Sequence, residues 1–171
     1  MANRAIFNRN YSSYQADGTT VYLANGQGVV TNPAPEATMT AGAALIAGEV
    51  VCASGNFAVP ALAYSGVQNF QLRPIGIATA AATNGSDVTV NLDGVATLSD
   101  ANITAQTALS PGEYYFLSKY LGQVVKYETA SGIIAGSGAW AYEASSPIGL
   151  ALSATALSVQ IQPPTFLYTG G

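Results

Sequence analysis

Hydrophobic residues along this chain recur mostly with the two-residue period of β-strands. Val88, Val90 and Leu92 alternate with polar residues, a pattern that predicts a strand with one buried face. Other apolar runs are short and end at Gly, Pro or Asn, as strands bounded by tight turns do. No segment longer than about ten residues carries the 3.6-residue stripe of an amphipathic helix. The pattern therefore predicts an all-β protein, built as a sandwich or a barrel.

The same order of elements occurs twice in the chain. Gly48–Ser54 and Gly112–Ser118 each begin with Gly-Glu and continue into an apolar strand. A turn and a second strand follow in both halves, then a Pro-Ile-Gly step, and finally an alternating strand. The matched later segments are Phe57–Pro60 with Gln123–Tyr127, Pro74–Gly76 with Pro147–Gly149, and Val88–Leu92 with Leu157–Ile161. We expect two pseudo-repeated small β units, packed as pseudo-symmetric halves or as adjacent small barrels.

The N-terminal part of the chain differs from both copies. Residues 1–17 are polar and aromatic without a strand or helix period, which predicts an extended N-terminal arm. Thr19–Leu23 and Val29–Val30 flank a Gly-rich turn and predict a hairpin. Pro33 and Pro35 are too close together for a central strand and indicate a linker or an edge crossing. The predicted division is 1–37 for the arm and linker, 38–98 for the first β unit, 99–109 for a linker, 110–163 for the second β unit, and 164–171 for a C-terminal tail.

The composition indicates a surface with very few charges. Of the 171 residues, 49% are apolar and only 8% are charged, whereas about 25% is typical of soluble domains. A surface covered by Ser, Thr, Asn, Gln, Gly and Ala loses little hydration energy when it is buried. We expect much of this surface to be buried against other subunits, and the open alternative is a monomer with a neutral polar surface.

Several function classes are excluded by what the chain lacks. With five Lys and Arg and a net charge of −4, no basic run is present to bind the phosphates of nucleic acid. The sequence has no His and one Cys, so neither a Ser-His-Asp triad nor a Cys/His zinc site can form. Cys52 lies in an apolar run and is expected to be a small buried hydrophobe. No run of 18 apolar residues and no apolar signal sequence are present, so we expect no membrane span and synthesis in the cytoplasm without a signal peptide.

The acidic residues do not form a convincing catalytic or metal site. Glu49 and Glu113 occupy matching repeat positions, and a glycosidase would need two carboxyl groups about 5–9 Å apart across one cleft. Matching positions in duplicated units favour matching structural roles instead. Asp87, Asp93 and Asp100 lack the Asp-x-Asp spacing of a calcium loop. We therefore expect no enzymatic activity, no cofactor and no metal.

Aromatic residues are the best candidates for contacts with partners. Tyr114, Tyr115 and Phe116 are consecutive, so a strand must point them to both of its faces, and one face then needs cover. Exposed Tyr and Trp side chains are also suited to stacking on sugars, which leaves glycan binding open. The candidate interface residues are Phe7, Tyr11, Tyr14, Pro33, Pro35, Tyr114, Trp140 and Tyr142.

Several of these segments together resemble a known β module. They are Ala47–Val51, Pro74–Ala81, Gly85–Val90 with Gly94-Val95, and Leu109–Phe116 with Leu121–Val124. Over roughly residues 42–162 the chain is similar to a module of tailed-bacteriophage virion proteins, which occurs in capsid decoration (cement) proteins and in tail fibres. The resemblance implies a homotrimer on the capsid exterior that binds the major capsid protein and stabilises the shell. The alternative that it implies is a tail-fibre or baseplate module that recognises host surface glycans.

Overall fold

A computed structural model describes residues 20–22, 29–31, 35–63, 71–126 and 144–166. The chain divides into two compact units, Met1–Pro35 and Glu36–Gly171. In the first unit, β1 (Thr20–Tyr22) pairs antiparallel with β2 (Val29–Thr31), which confirms the predicted hairpin. The predicted arm at residues 1–17 lies outside the described residues.

The second unit is almost entirely β-structure, which confirms the predicted fold class. Its strands are β3 (Glu36–Ala41), β4 (Val50–Ser54), β5 (Phe57–Pro60), β6 (Pro74–Ala78), β7 (Asp87–Asn91), β8 (Gly94–Thr97), β9 (Tyr114–Leu117), β10 (Val124–Lys126), β11 (Ala144–Ser145), β12 (Pro147–Ala151), β13 (Ala156–Val159) and β14 (Thr165–Phe166). One turn of 3-10 helix spans Asp100–Asn102.

The ten longer strands of this unit form two assemblies with the same topology. Strands β3 to β7 form a closed barrel in the order β3-β5-β4-β6-β7, and a five-stranded sheet has the order β10-β9-β12-β13-β8. Strand β3 closes the barrel by pairing in parallel with β5 at Ala41 and Ala58. A parallel bridge between Ile103 and Val124 brings the two edges of the sheet together in the same way. The first copy is therefore a closed barrel and the second copy an open version of it, while β11 pairs with β14 apart from both.

The two copies share an irregularity as well as a strand order. The pairing of β4 with β6 skips Ile75, and the pairing of β9 with β12 skips Ile148. Each is a β-bulge at the Ile of a Pro-Ile-Gly step, next to a proline that cannot donate to the ladder. The common bulge shows that the Pro-Ile-Gly steps matched in the sequence are equivalent in space.

The alignment of the last strand differs from the sequence-based one. Asn91 and Ser158 occupy equivalent places, because the carbonyl of each lies against the glycine of its Pro-Ile-Gly step. The match of Val88–Leu92 with Leu157–Ile161 is therefore shifted by two residues relative to the structure. Because side chains alternate with a period of two, this shift does not exchange the two faces of the strand. Val88 and Val90 are buried as predicted, whereas Leu92 lies beyond the end of β7 and is exposed.

Strand β8 lies outside the copy to which the sequence analysis assigned it. Residues 94–98 were placed at the end of the first unit and residues 99–109 in a linker. Strand β8 pairs instead with β13, and residues 99–109 carry the 3-10 turn and the Ile103 bridge within the second copy. The physical reason is that Ala96 and Leu98 are buried in the core of that copy. The chain passes from one copy to the other at residues 92–93.

Buried side chains form two clusters in this unit. The barrel interior contains Ala41, Leu45, Val51, Ala58, Ala78, Val88 and Val90. A larger core fills the second copy and extends onto the outer face of the barrel, where it includes Val50, Cys52 and Ile77. Strand β4 is therefore buried on both faces, which explains its continuous apolar run. Cys52 is fully buried, as predicted.

Candidate interaction surface

The turn between β9 and β10 (residues 118–123) inserts its backbone into the edge of the barrel. The N–H of Val50 donates to the carbonyl of Gly122, and the N–H of Gly122 donates to the carbonyl of Ala61, both at 2.8 Å. The N–H of Ala63 donates to the carbonyl of Ser118 at 2.9 Å. These bonds satisfy main-chain groups at the start of β4 and just after β5 that would otherwise need other partners. We call this contact between residues 48–50, 61–63 and 118–123 the seam.

Glu49 is buried in the seam, while its repeat equivalent is not. Glu49 is 9% exposed, and its Oε2 accepts the N–H of Ile46 at 2.9 Å. Burial raises the pKa of Glu49 above its ordinary value of 4.5, and the bond from Ile46 opposes part of that rise. The side chain of Glu113 is 44% exposed and forms an ion pair with Lys126 at 3.5 Å. The two carboxylates therefore have different structural roles, contrary to the expectation from their matching positions.

The 3-10 turn forms a second part of the contact between the copies. Gly48 has φ +82°, and a Cβ at this position would lie 2.5 Å from Oδ1 of Asn102 and 3.0 Å from the carbonyl of Thr97. The same Oδ1 accepts from the N–H and the hydroxyl of Ser99 at 2.8 Å each. Glycine at position 48 is therefore required both by its backbone conformation and by the close approach of the second copy.

Large apolar side chains are exposed beside the seam. Ile46, Tyr120 and Leu121 are 45%, 51% and 57% exposed. The N–H of Ile46 donates to the Glu49 carboxylate, and Tyr120 and Leu121 immediately precede Gly122, which lies against Glu49. The ammonium of Lys119 lies 5.3 Å from the centroid of the Tyr120 ring. We call Ile46, Tyr120 and Leu121 the seam patch. Grouped apolar side chains on a surface are typical of sites that bind other proteins.

Two of the predicted interface residues lie in the described part of the chain. Pro35 is exposed, and Tyr114 is 51% exposed at the start of β9. Its neighbour Tyr115 is fully buried, and the Tyr115 hydroxyl accepts the N–H of Ser110 and donates to Oε1 of Gln106. The prediction that consecutive aromatic residues point to both faces is thus confirmed. The others lie outside the described residues: Phe7, Tyr11, Tyr14, Pro33, Trp140 and Tyr142.

The sequence analysis missed the residues of the seam patch. A signal for them was present, because the second hairpin has a six-residue turn at 118–123 where the first has only Gly55 and Asn56. An insertion in one copy of a repeat indicates a contact that the other copy does not make. Here the extra residues carry Tyr120 and Leu121 to the seam.

The described residues offer little reactive chemistry. Among them, no group of three or more His, Cys, Asp or Glu side chains is placed to hold a metal ion. The Ser118 hydroxyl is buried and lies 2.6 Å from the hydroxyl of Thr104. Burial raises the pKa of the Cys52 thiol to about 11, so almost none of it is present as the nucleophilic thiolate at neutral pH. In the described part of the chain, no helix has the length and apolar character needed to cross a membrane.

Comparison with known proteins adds no family to this description. The chain matches no protein-family model, and a comparison with curated proteins finds no match. The fold alone therefore defines the class, which is an all-β protein whose five-stranded topology occurs twice within one compact unit, once as a closed barrel and once as an open sheet.

Proposed function

We propose that this chain is a structural protein of a tailed-bacteriophage virion, and specifically a capsid decoration protein. It would bind the outer shell and stabilise contacts between major capsid subunits. The observation that carries this proposal is the seam patch, where three large apolar side chains are exposed beside a contact made by main-chain hydrogen bonds. The assignment to a phage follows from the resemblance of residues 42–162 to virion β modules.

The electrostatics of the surface favour binding to protein. With 8% charged residues in the chain, few ions lose their hydration when such a surface is covered. The nearby carboxylate of Glu49 is already buried within the chain, so covering the seam patch leaves no new unpaired charge from that residue. Apolar contact at the seam patch can therefore favour binding to a capsid lattice, since little hydration of charged groups is lost when the patch is covered.

The shell would be stabilised by mass action. A protein that binds only the assembled lattice stabilises it by RT ln(1 + [L]/Kd), or about 4 kcal/mol at a thousandfold excess over Kd. Association of the chain with itself as a homotrimer would multiply the contacts made by each attached particle. In this proposal the N-terminal arm reaches a neighbouring subunit and adds main-chain pairing to a sheet edge.

The test uses phage shells that lack this protein, together with the purified full chain. We expect the chain to cosediment with the shells, to saturate, and to raise the temperature at which the shells disrupt. Leu121→Asp should lower the occupancy, because it places a charge in the seam patch. Val95→Asp is the matched control, since Val95 is also exposed at 49% but lies outside the seam patch.

Two further results bear on the same proposal. Deletion of residues 1–17 should weaken attachment to shells and leave the β units folded, as judged by circular dichroism. Absence of binding to shells at every concentration would overturn the proposal. Binding of the purified chain to a glycan array, without binding to shells, would support the tail-fibre alternative instead.

A further inference from the structure

The two copies contact each other through different surfaces. Each copy therefore also has an exposed surface whose equivalent in the other copy is buried in the contact. In the first copy, Val50 is fully buried where the second copy covers it. The repeat equivalent of Val50 is Tyr114, because the shared bulge aligns β4 with β9. Tyr114 is 51% exposed. The position that is buried in the first copy is therefore exposed in the second.

The opposite side of the contact shows the same asymmetry. The second copy touches the first through the carbonyls of Thr97 and Gly122. Strand β8 is the repeat equivalent of β3, since each pairs with the last strand of its copy, and this matches Thr97 with Thr38. The short turn of the first hairpin matches the longer turn that carries Gly122.

An open pocket lies at that matching position in the first copy. Its volume is about 340 Å³, and it is lined by Thr38, Met39, Thr40, Gly55, Asn56 and Asp87. The second copy contacts the first through β8 and the 118–123 turn. The pocket is lined by the equivalents of these two elements in the first copy, which are β3 and the turn at Gly55 and Asn56. One chain carries a free surface of each kind, an exposed Tyr114 and an open pocket.

We propose that chains associate head to tail, with Tyr114 of one chain seated in this pocket of a second copy. The contact would continue between chains the arrangement that already joins the two copies within one chain. The chemistry is complementary, because a tyrosine presents an apolar ring with a hydroxyl at its end. Thr38 and Thr40 line the pocket from the outer face of β3, whereas Met39 packs against the barrel interior. The carboxylate of Asp87, which pairs with Thr40, offers an acceptor to the hydroxyl.

A head-to-tail contact of this kind is heterologous, since different surfaces of the two chains meet. Such contacts repeat until a ring closes, or they continue as a filament. The inference deepens the self-association in the proposed function and rests on it only in that copies must associate. Binding to shells is a separate measurement, so the two can fail independently.

The first experiment compares two exposed positions by light scattering coupled to size-exclusion chromatography. Tyr114→Glu places a second carboxylate beside Asp87 and should reduce the wild-type oligomer to a single chain of 17.4 kDa. Leu152→Glu is the matched control, because Leu152 is also 51% exposed but lies outside both proposed contact surfaces and outside the seam patch. Thermal unfolding of each variant checks that the fold is retained.

The second experiment tests the direction of the contact. Thr38→Glu blocks the pocket and should also give single chains, whereas Thr107→Glu, at another exposed threonine, should not. An equal mixture of Tyr114→Glu and Thr38→Glu should form a species of two chains. One variant keeps an intact pocket and the other keeps an intact Tyr114, so only one contact can form.

The outcomes separate the inference from its alternatives. A wild-type chain that stays monomeric at every concentration overturns both this inference and the proposed homotrimer. An oligomer whose mass survives both Tyr114→Glu and Thr38→Glu overturns the head-to-tail contact alone. Variants that are monomeric separately and remain monomeric in the mixture show that identical surfaces meet, which also overturns it.

Discussion

Gly122 of the second copy lies directly against Glu49 of the first, and no side chain fits between them. A Cβ at position 122 would overlap the Glu49 side chain, and the backbone there has φ +64°. The same residue donates and accepts one main-chain hydrogen bond each across the seam. This single position therefore links the length of the second hairpin turn, the burial of a carboxylate and the packing of the two copies.

We expect Gly122→Ala to lower the free energy of unfolding by about 2–5 kcal/mol. The left-handed backbone costs an alanine about 1–2 kcal/mol, and the overlap with Glu49 adds about 1–3 kcal/mol of overpacking. Gly55→Ala is the matched control, because Gly55 has φ +61° and nothing within 4 Å of a Cβ. Urea unfolding of both variants gives the difference, and equal losses would contradict the account of the seam.

The glycines of the two Pro-Ile-Gly steps provide a test of the duplication. A Cβ at Gly76 would lie 2.5 Å from the carbonyl oxygen of Asn91, and a Cβ at Gly149 would overlap that of Ser158. Gly76→Ala and Gly149→Ala should each cost about 1–3 kcal/mol, because a strand backbone cannot yield as a flexible side chain can. Calorimetric or urea unfolding measures both, with Thr107→Ala as an exposed control. A large loss in one copy and none in the other would argue against equivalent packing.

The sequence predicted the strands and the match between the two Pro-Ile-Gly steps better than it predicted where one copy ends. Alternation and turn residues are local signals, and the alternation of Val88, Val90 and Leu92 predicted a strand where the structure has β7. The partner of a strand depends on long-range packing. Strand β8 follows β7 after a two-residue turn, as a hairpin partner would, yet its buried Ala96 belongs to the other core. No local signal separates these two arrangements.

The candidate site was predicted only in part, for a related reason. The exposure of Tyr114 followed from the alternation of side chains along one strand. The burial of Glu49 did not, because it depends on a turn more than 60 residues away in the sequence. The repeat itself was misleading here, since equal positions suggested equal roles for Glu49 and Glu113. Because each copy contacts the other through a different surface, matched residues of the two copies have different neighbours.

The buried carboxyl of Glu49 should make stability depend on pH. Its pKa is raised in the folded state, so the folded protein holds this proton more tightly than the unfolded chain does. The stabilisation is fully present below the unfolded pKa of about 4.5 and is lost as the pH rises through the folded pKa. We expect Glu49→Gln to remove this loss, so that the variant gains on the wild type between pH 4.5 and neutrality.

The control for this prediction is the repeat equivalent. Glu113→Gln removes a half-exposed ion pair with Lys126, which contributes at most about 1 kcal/mol. Urea unfolding at a series of pH values gives the free energy for the wild type and both variants. A difference between Glu49→Gln and the wild type that stays constant with pH would show that burial does not raise this pKa.

Cys52 can report on the integrity of the core that the seam closes. Its pKa, raised from 9.0 to about 11, lowers the thiolate fraction about 100-fold at neutral pH, and full burial slows access further. Iodoacetamide should therefore label the native chain more than about 100-fold more slowly than the chain in denaturant, with no other cysteine to confuse the signal. Gly122→Ala should accelerate native labelling, because Cys52 lies in the shared core, whereas Gly55→Ala should leave the rate near that of the wild type. Equal labelling rates in both variants would mean that the core stays closed without the seam.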